Sequence, residues 1–211
     1  MIKKYLPLLF ITSLVILLPI IAGVYLWDRL PEQLPFHWNV QGQVDQYVSK
    51  PLAVLGMPFL LLAIHWMCVV STSLDPKNKN IDAKPMQLVL WIAPMLSIVL
   101  HSVVYLTALE HSLRVEVILP LLLGALFVVI GNYLPKCRQN YTVGIKLPWT
   151  MDDAENWNKT HRFSGAVWVC GGLIIMVTAF LGTFVIFAAA VLLMALLPVI
   201  YSYCLYAKKQ K

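Results

Sequence analysis

Apolar residues fall into six long runs along the chain, and two polar blocks interrupt them. The runs cover residues 6–26, 52–73, 86–107, 117–134, 166–182 and 184–206. A helix needs about 20 apolar residues to cross a bilayer, whereas strands of a membrane barrel alternate between polar and apolar residues. The last two runs meet around Gly182 and are together about twice the length of one span, which favours a helical hairpin there. The pattern therefore predicts six transmembrane helices.

Composition supports this interpretation and indicates how the chain is divided. Of the 211 residues, 60% are hydrophobic and 12% are charged, and the mean hydropathy is +0.76. A water-soluble domain of this size could not bury that much apolar side chain. We predict an all-α, polytopic membrane protein with two units. The first, 1–73, holds two helices and the polar block 27–51; the second, 74–211, holds four helices and the polar block 131–165.

The distribution of charge predicts the orientation in the cell membrane. Of the 16 lysine and arginine residues, Arg29, Lys50 and Arg114 fall on one side of the predicted spans and the other 13 on the opposite side. Basic residues concentrate in cytoplasmic loops. Both termini and the block 131–165 are therefore predicted to be cytoplasmic, and the block 27–51 to face outward. The same rule explains the net charge of +6, so direct nucleic-acid binding is not predicted.

The outer block has two interpretations. Gly42 suits a turn between the segments FHWN and VDQY. Trp38 and Tyr47 suit the headgroup region as simple anchors, because aromatic residues concentrate there. Alternatively the block is a small extracellular platform, on which His37, Asn39 and Asp45 offer hydrogen bonds and Trp38 an apolar contact to a ligand.

Ionisable side chains on the predicted outer side raise two further alternatives. A metal site could in principle combine His37, Asp45, His101, Glu110 and His111, because imidazole and carboxylate bind zinc. The known short zinc motifs are missing from the chain, however, and we predict no metal, no cofactor and no catalytic residue. The second alternative is a membrane-embedded enzyme acting on lipid or peptide, with some of these groups as acid and base.

The inner block predicts a short interfacial helix. Thr150 with Asp153 resembles a capping box, and acidic residues precede basic ones over 151–163, as the helix dipole favours. We therefore predict a short cytoplasmic helix there that leads into the fifth span. Trp149 and Trp157 would lie at the membrane interface, with basic neighbours at anionic lipid headgroups. The alternative is a protein-docking surface.

Both polar blocks resemble known sequences. The segment LPFHWNVQGQVDQYVSK resembles a small membrane domain of unknown function found in Gram-positive bacteria. The segment GNYLPKCRQNYTVGIKLPWTMDDAENWNKTHRFSG closely resembles the signature of the SdpI family, and the resemblance extends over essentially the whole chain. The family commonly has GIR-T-PWT where this chain has GIK-L-PWT. Lys146 keeps the positive charge of that arginine but not its forked hydrogen bonding.

The resemblance implies bacteriocin immunity, in which a membrane protein protects the cell from a secreted killing peptide. The toxin would contact the outer residues His37, Trp38, Asn39, Gly42 and Asp45. The resemblance also implies signalling, in which the protein holds a cytoplasmic helix-turn-helix repressor at the membrane. The inner residues then expected to contact this partner or membrane lipids are Asn132, Pro135, Asn140, Gly144, Lys146, Pro148, Trp149, Thr150, Trp157, Thr160 and His161. A small transporter is the remaining alternative, although the spans contain few charges.

Overall fold

Six membrane-length helices account for most of the chain. The computed structural model describes residues 2–210, with the backbone alone at residues 2 and 3. The long helices are α1 Ile2–Tyr25, α2 Met57–Leu74, α3 Ala83–Ala108, α4 Val115–Tyr133, α6 Ala154–Thr178 and α7 Phe184–Lys209. Their length and apolar composition suit them to cross a membrane. They confirm the prediction of an all-α polytopic membrane protein with six spans.

Short elements occupy the two polar blocks and the connections. The outer block, for which only a turn was predicted, forms an antiparallel hairpin of β1 Gln33–Trp38 and β2 Val44–Ser49. Gly42 lies in its turn with φ 75°, a conformation that favours glycine. The remaining elements are the single turns Trp27–Arg29, Asn78–Asn80 and Leu134–Lys136, a π-helical turn Leu52–Gly56 leading into α2, and the four-residue helix α5 Pro148–Met151.

The chain divides into two compact units. The first comprises the residues up to Leu74 together with Met86–Val115, and the second comprises Asp75–Pro85 together with the residues from Glu116 onward. The third long helix thus belongs with the first two and with the hairpin. The division predicted from the sequence, 1–73 and 74–211, stays a prediction.

In the first unit, hydrogen bonds made by buried polar side chains join the helices. The His65 ring on α2 lies 3.1 Å from the Thr12 hydroxyl on α1. The Tyr105 hydroxyl on α3 donates to the Pro19 carbonyl at 3.1 Å. The hairpin is attached through an apolar cluster that includes Leu34 and Val54. Since an unpaired polar group is costly inside a membrane, these bonds help to determine how the three helices pack.

In the second unit, glycines allow α4 and α6 to approach each other closely. A Cβ atom added at Gly124 would lie 2.7 Å from the Gly172 carbonyl oxygen, and one added at Gly131 would lie 2.9 Å from that of Gly165. Small residues at such crossings let helix backbones pack directly in membranes. This packing places the start of α6 beside the end of α4, where the loop between them is closed.

The prediction of a separate interfacial helix at 151–163 is wrong. Residues from Ala154 onward form one continuous helix with the fifth span, so the predicted start of that span at 166 was too late. The cap also differs: the Asp153 side chain, not that of Thr150, accepts the Glu155 backbone N–H at 2.9 Å. The polar residues in the first turns of α6 suggest an interfacial helix in the sequence, but four of these polar side chains are buried. These are Asn156, Thr160, His161 and Ser164.

Candidate functional site

The hairpin, residues 33–49, presents a tightly organised tip in the first unit. The Asn39 side-chain oxygen accepts the backbone N–H groups of Gln41 and Gln43, both at 3.0 Å. The Asn39 N–H in turn donates to the Gln43 carbonyl at 2.9 Å. Asparagine is favoured in turns because its side chain can accept such backbone donors. Asn39 and Gly42 therefore shape the turn, which is a structural role for two of the five predicted ligand contacts.

His37 and Asp45 form an exposed pair across the hairpin. Nδ1 of the imidazole lies 2.6 Å from the Asp45 carboxylate, and the two side chains are 57% and 42% exposed. The strand register is irregular on both sides of His37. A bulge of this kind re-aims a side chain relative to a regular strand. The result is a polar pair open to the surroundings, beside the exposed aromatic rings of Phe36 and Tyr47.

A buried lysine at the end of the hairpin contacts the segment that precedes the first strand. The Lys50 ammonium donates to the Trp27 carbonyl at 3.2 Å and lies 3.0 Å from the Glu32 carboxylate. It also lies 5.3 Å from the centre of the Trp27 ring, within the range of a cation–π contact. In the sequence, Lys50 is recognisable only as an outer basic residue, because its position between a polar block and an apolar run does not reveal these partners.

The five residues considered as alternative metal ligands are not brought together. Among residues 2–210, the structure contains no group of three His, Cys, Asp or Glu residues that could hold one metal ion. His37 pairs with Asp45, whereas the buried His101 ring uses Nδ1 on the Ser97 carbonyl at 2.8 Å. Glu110 is exposed just after α3. Of the acid and base candidates of the enzyme alternative, His37 and Asp45 contact each other, whereas His101 bonds to Ser97 on its own helix.

In the second unit, the connecting loop, residues 134–153, is held by a buried carboxylate. Asp75 accepts the backbone N–H of Lys77 at 2.7 Å and that of Tyr141 at 2.8 Å, as well as the Thr142 hydroxyl. Burial of the carboxylate raises its pKa, but the hydrogen bonds outweigh burial and hold the pKa of Asp75 below its ordinary value. The ionised form is therefore the one that organises the loop.

Gln139 extends this attachment to the far end of the loop. Its side-chain amide donates to the carbonyls of Thr150 and Met151, at 3.0 and 2.8 Å. Its side-chain oxygen accepts from the Lys77 ammonium at 2.8 Å, and its backbone carbonyl accepts from the Asn80 side chain at 2.8 Å. One glutamine thus ties the segment 75–85 to both ends of the connecting loop.

The start of α6 closes the loop from the other side. The Ile145 N–H donates to Nε2 of His161 at 2.9 Å, so the hydrogen of this ring is on Nδ1, which donates to the Trp157 carbonyl at 2.8 Å. The Trp157 indole donates to the Cys137 carbonyl at 2.8 Å and stacks on the His161 ring with centres 4.0 Å apart. Gly144 passes over these rings with φ 123°.

Five of the eleven predicted inner contacts are buried, either in this loop or where α6 packs against it. The exposed ones are Asn132, Pro135, Lys146 and Pro148; the half-buried ones are Gly144 and Trp149; the buried ones are Asn140, Thr150, Trp157, Thr160 and His161. Trp157 was expected at the membrane interface, and its full burial shows that this expectation was wrong. The buried residues can act on a partner only through the shape of the loop. The accessible surface includes Arg138 and Tyr141, which were not among the predicted site residues.

Two parts of the chain match known protein families, and they include the hairpin and the connecting loop. Residues 136–202 match the SdpI/YfhL protein family, and residues 14–62 match a domain of unknown function, DUF1648. The chain is 28% identical over 205 residues to the immunity protein SdpI of Bacillus subtilis (strain 168), and the similarity covers 94% of this chain and 95% of that protein. No solved structure matches the chain. Residues 14–62 include the hairpin, and residues 136–202 include most of the connecting loop.

Proposed function

We propose that the chain is a member of the SdpI/YfhL family and a multi-pass membrane immunity protein that protects the cell against a secreted killing peptide. The observation that carries this proposal is the similarity to an immunity protein along 94% of the chain. A match of that extent covers most of the chain rather than a single motif. The proposed role is therefore binding at the membrane, not catalysis.

The hairpin is the proposed point of contact with the peptide. We place it outside the cell because the basic residues of the chain concentrate on the opposite side of the spans. His37 and Asp45 supply accessible hydrogen-bonding groups, and Phe36 and Tyr47 supply exposed aromatic surface. Aromatic anchors surrounded by polar groups are typical of protein-binding surfaces.

Removing the polar pair is expected to abolish much of the protection. His37→Ala and Asp45→Ala, expressed in a strain sensitive to the killing peptide, should each lower the inhibitory peptide concentration at least about tenfold relative to wild type. Truncating a central contact commonly costs about 2 kcal/mol of binding, which exceeds the free energy of a tenfold change. The measurement is growth across a peptide dilution series at matched protein levels. If the sensitive strain is inhibited at the same peptide concentration with and without the wild-type protein, the immunity proposal itself is contradicted.

Matched controls separate the hairpin from general effects. His111→Ala and Asp28→Ala remove the same side-chain types at exposed positions outside the hairpin and should leave protection intact. Ser49→Cys, on the second strand, should react with a thiol reagent that does not cross membranes when whole cells are treated. Labelling of Ser49→Cys only after the cells are broken would contradict the proposed orientation, whatever the growth assay shows.

For the opposite end of the spans we propose a signalling role, in which the connecting loop recruits a cytoplasmic repressor when the peptide is bound. Arg138 and Tyr141 offer an exposed arginine and an aromatic ring, the residue types enriched at protein interfaces. The buried hydrogen bonds from Asp75 and Gln139 hold this surface in one shape. A change in that shape would require two states of the helices that peptide binding biases.

Recruitment can be observed directly. A fluorescent fusion of the proposed helix-turn-helix repressor should move from the cytoplasm to the membrane when the peptide is added. The double variant Arg138→Ala, Tyr141→Ala should prevent this movement, and Lys79→Ala, another exposed residue in the same unit, should not. Because the ion pair between Arg138 and Asp82 is long and exposed, its loss has little effect on folding. A repressor that stays cytoplasmic with the wild-type protein would contradict the proposal.

A further inference from the structure

A cavity of about 190 Å³ lies between the hairpin and the helices of the first unit. The residues that line it are Pro35, Phe36, Trp38, Val48, Ala53, Met57, Leu60, Leu61, Leu100, His101, Val103 and Val104. Nearly all of these side chains are apolar. Apolar cavities of about 150 Å³ exclude water and accept hydrocarbon. The natural occupant of this space is therefore a hydrocarbon group and not solvent.

One buried polar group in the lining lacks a partner. The indole N–H of Trp38 is shielded from the surroundings and meets no hydrogen-bond acceptor among residues 2–210. A buried donor left unpaired costs about 1–3 kcal/mol, so such groups in native proteins usually have an acceptor. Because this N–H is shielded, a ligand in the cavity can reach it only when the Trp38 ring turns. A ligand that combines a hydrocarbon chain with an oxygen acceptor would then satisfy both the cavity and this donor.

The depth of the cavity matches one leaflet of a bilayer. It extends along the second span from Ala53, in the π-helical turn that precedes α2, to Leu61 on α2. At 1.5 Å per residue, that is about 12 Å, close to half of a hydrocarbon core about 30 Å thick. Its rim is exposed to the surroundings of the helices, with Phe36 47% and Leu60 54% exposed. Lipid chains are the molecules that surround a membrane helix at this depth.

From these observations we infer that the cavity binds one acyl chain of a phospholipid, whose ester carbonyl accepts the hydrogen bond of the Trp38 indole. The ester carbonyls of a phospholipid lie at the boundary between headgroups and hydrocarbon. The hairpin holds Trp38 at that boundary, beside the first turns of the second span. The bound lipid would then help to hold the hairpin against the helices of the first unit. This inference does not depend on the immunity proposal.

Photolabelling in vesicles tests the site. The full chain is reconstituted in phosphatidylethanolamine and phosphatidylglycerol containing a phosphatidylglycerol with a mid-chain diazirine, and the labelled residues are identified by mass spectrometry. We expect the label to be enriched on the residues of the cavity relative to other lipid-facing residues of α1 and α2. Leu61→Trp fills the cavity and should lower this labelling at least about threefold. Leu14→Trp, the same change at an exposed position of α1, should leave it as in wild type.

The hydrogen bond is tested by Trp38→Phe, which keeps an aromatic ring but removes the N–H. Labelling of the cavity should fall about threefold to tenfold, the change expected for one lost hydrogen bond, while the unfolding temperature in detergent identifies any variant that has not folded. Uniform labelling of all lipid-facing residues, or undiminished labelling in Leu61→Trp, would overturn the inference. Preferential labelling of the cavity by a hydrophobic peptide that bears photoreactive leucine would also overturn it. The site would then bind peptide and not phospholipid.

Discussion

Replacing Gly144 with alanine is expected to open the connecting loop and to lower the stability of the second unit by about 3 kcal/mol or more. Two effects combine at this position. The backbone has φ 123°, which a residue with a side chain adopts only with strain. In addition, a Cβ atom there would lie 3.0 Å from the Trp157 ring and would meet Nε2 of His161. Neither ring can move away without breaking its hydrogen bonds.

The thiol of Cys137 provides the measurement. It is buried in the same loop, and burial, reinforced by the charge of Asp82, raises its pKa to about 11. In the folded protein it should therefore react slowly with maleimide, since the thiolate is the reactive form. In Gly144→Ala the rate of labelling at Cys137, followed by mass spectrometry, should rise at least about tenfold.

Gly182→Ala is the matched control for this substitution. Gly182 also has a positive φ, 64°, but a Cβ atom there would meet nothing within 4 Å. Only the conformational cost of about 1–2 kcal/mol remains, and it falls at the turn between α6 and α7, outside the connecting loop. Labelling of Cys137 in Gly182→Ala should match wild type. Equal labelling in the two glycine variants would show that the contact with Trp157 and His161 does not hold the loop.

Removing the Asp75 carboxylate is expected to have a comparable effect. Asp75→Ala leaves two backbone N–H groups and the Thr142 hydroxyl without their acceptor. Each buried donor left unpaired costs about 1–3 kcal/mol, so a loss of about 3 kcal/mol or more is expected. Asp75→Asn keeps one acceptor oxygen and should fall between Asp75→Ala and wild type. Thermal unfolding in detergent at neutral pH measures the difference.

The same carboxylate predicts how stability depends on pH. Its pKa in the folded protein lies below the ordinary value for aspartate, so the unfolded chain binds the proton more readily. The contribution of Asp75 is therefore complete above about pH 4, the ordinary aspartate value, and is lost as the pH falls below it towards the lowered folded-state pKa. Asp75→Asn should lack this part of the acid-induced loss.

Asp82→Asn controls for the general effect of removing an acidic residue nearby. Asp82 is partly exposed and reaches Arg138 only at 3.6 Å, so its replacement should change the unfolding temperature little. An acid-dependent loss of stability that is as large in Asp75→Asn as in wild type would contradict the assigned role of Asp75. A large effect of Asp82→Asn would show that surface charge, and not the buried carboxylate, controls the loop.

Much of the fold follows from local properties of the chain. The length and hydropathy of each apolar run show whether the segment can cross a bilayer. The number of spans and nearly all of their boundaries could therefore be predicted. Gly42 marked a turn because few other residues adopt its backbone conformation. The start of α6 could not be found in this way. Hydropathy describes a side chain by itself, and the polar residues of that segment are accommodated by partners elsewhere in the chain.

By itself the sequence determined the six spans, the asymmetry of charge and the two polar regions that carry the family resemblance, because these depend on composition and on neighbours along the chain. Only the tertiary structure decided which polar residues are accessible. Asp75 meets Tyr141 across 66 positions, and Gly144 meets His161 through the fold of the loop. A residue such as His161 therefore looked like a contact surface in the sequence and lies in the interior of the loop. The physical reason is that burial and hydrogen bonding belong to pairs of groups, and those pairs exist only once distant segments have come together.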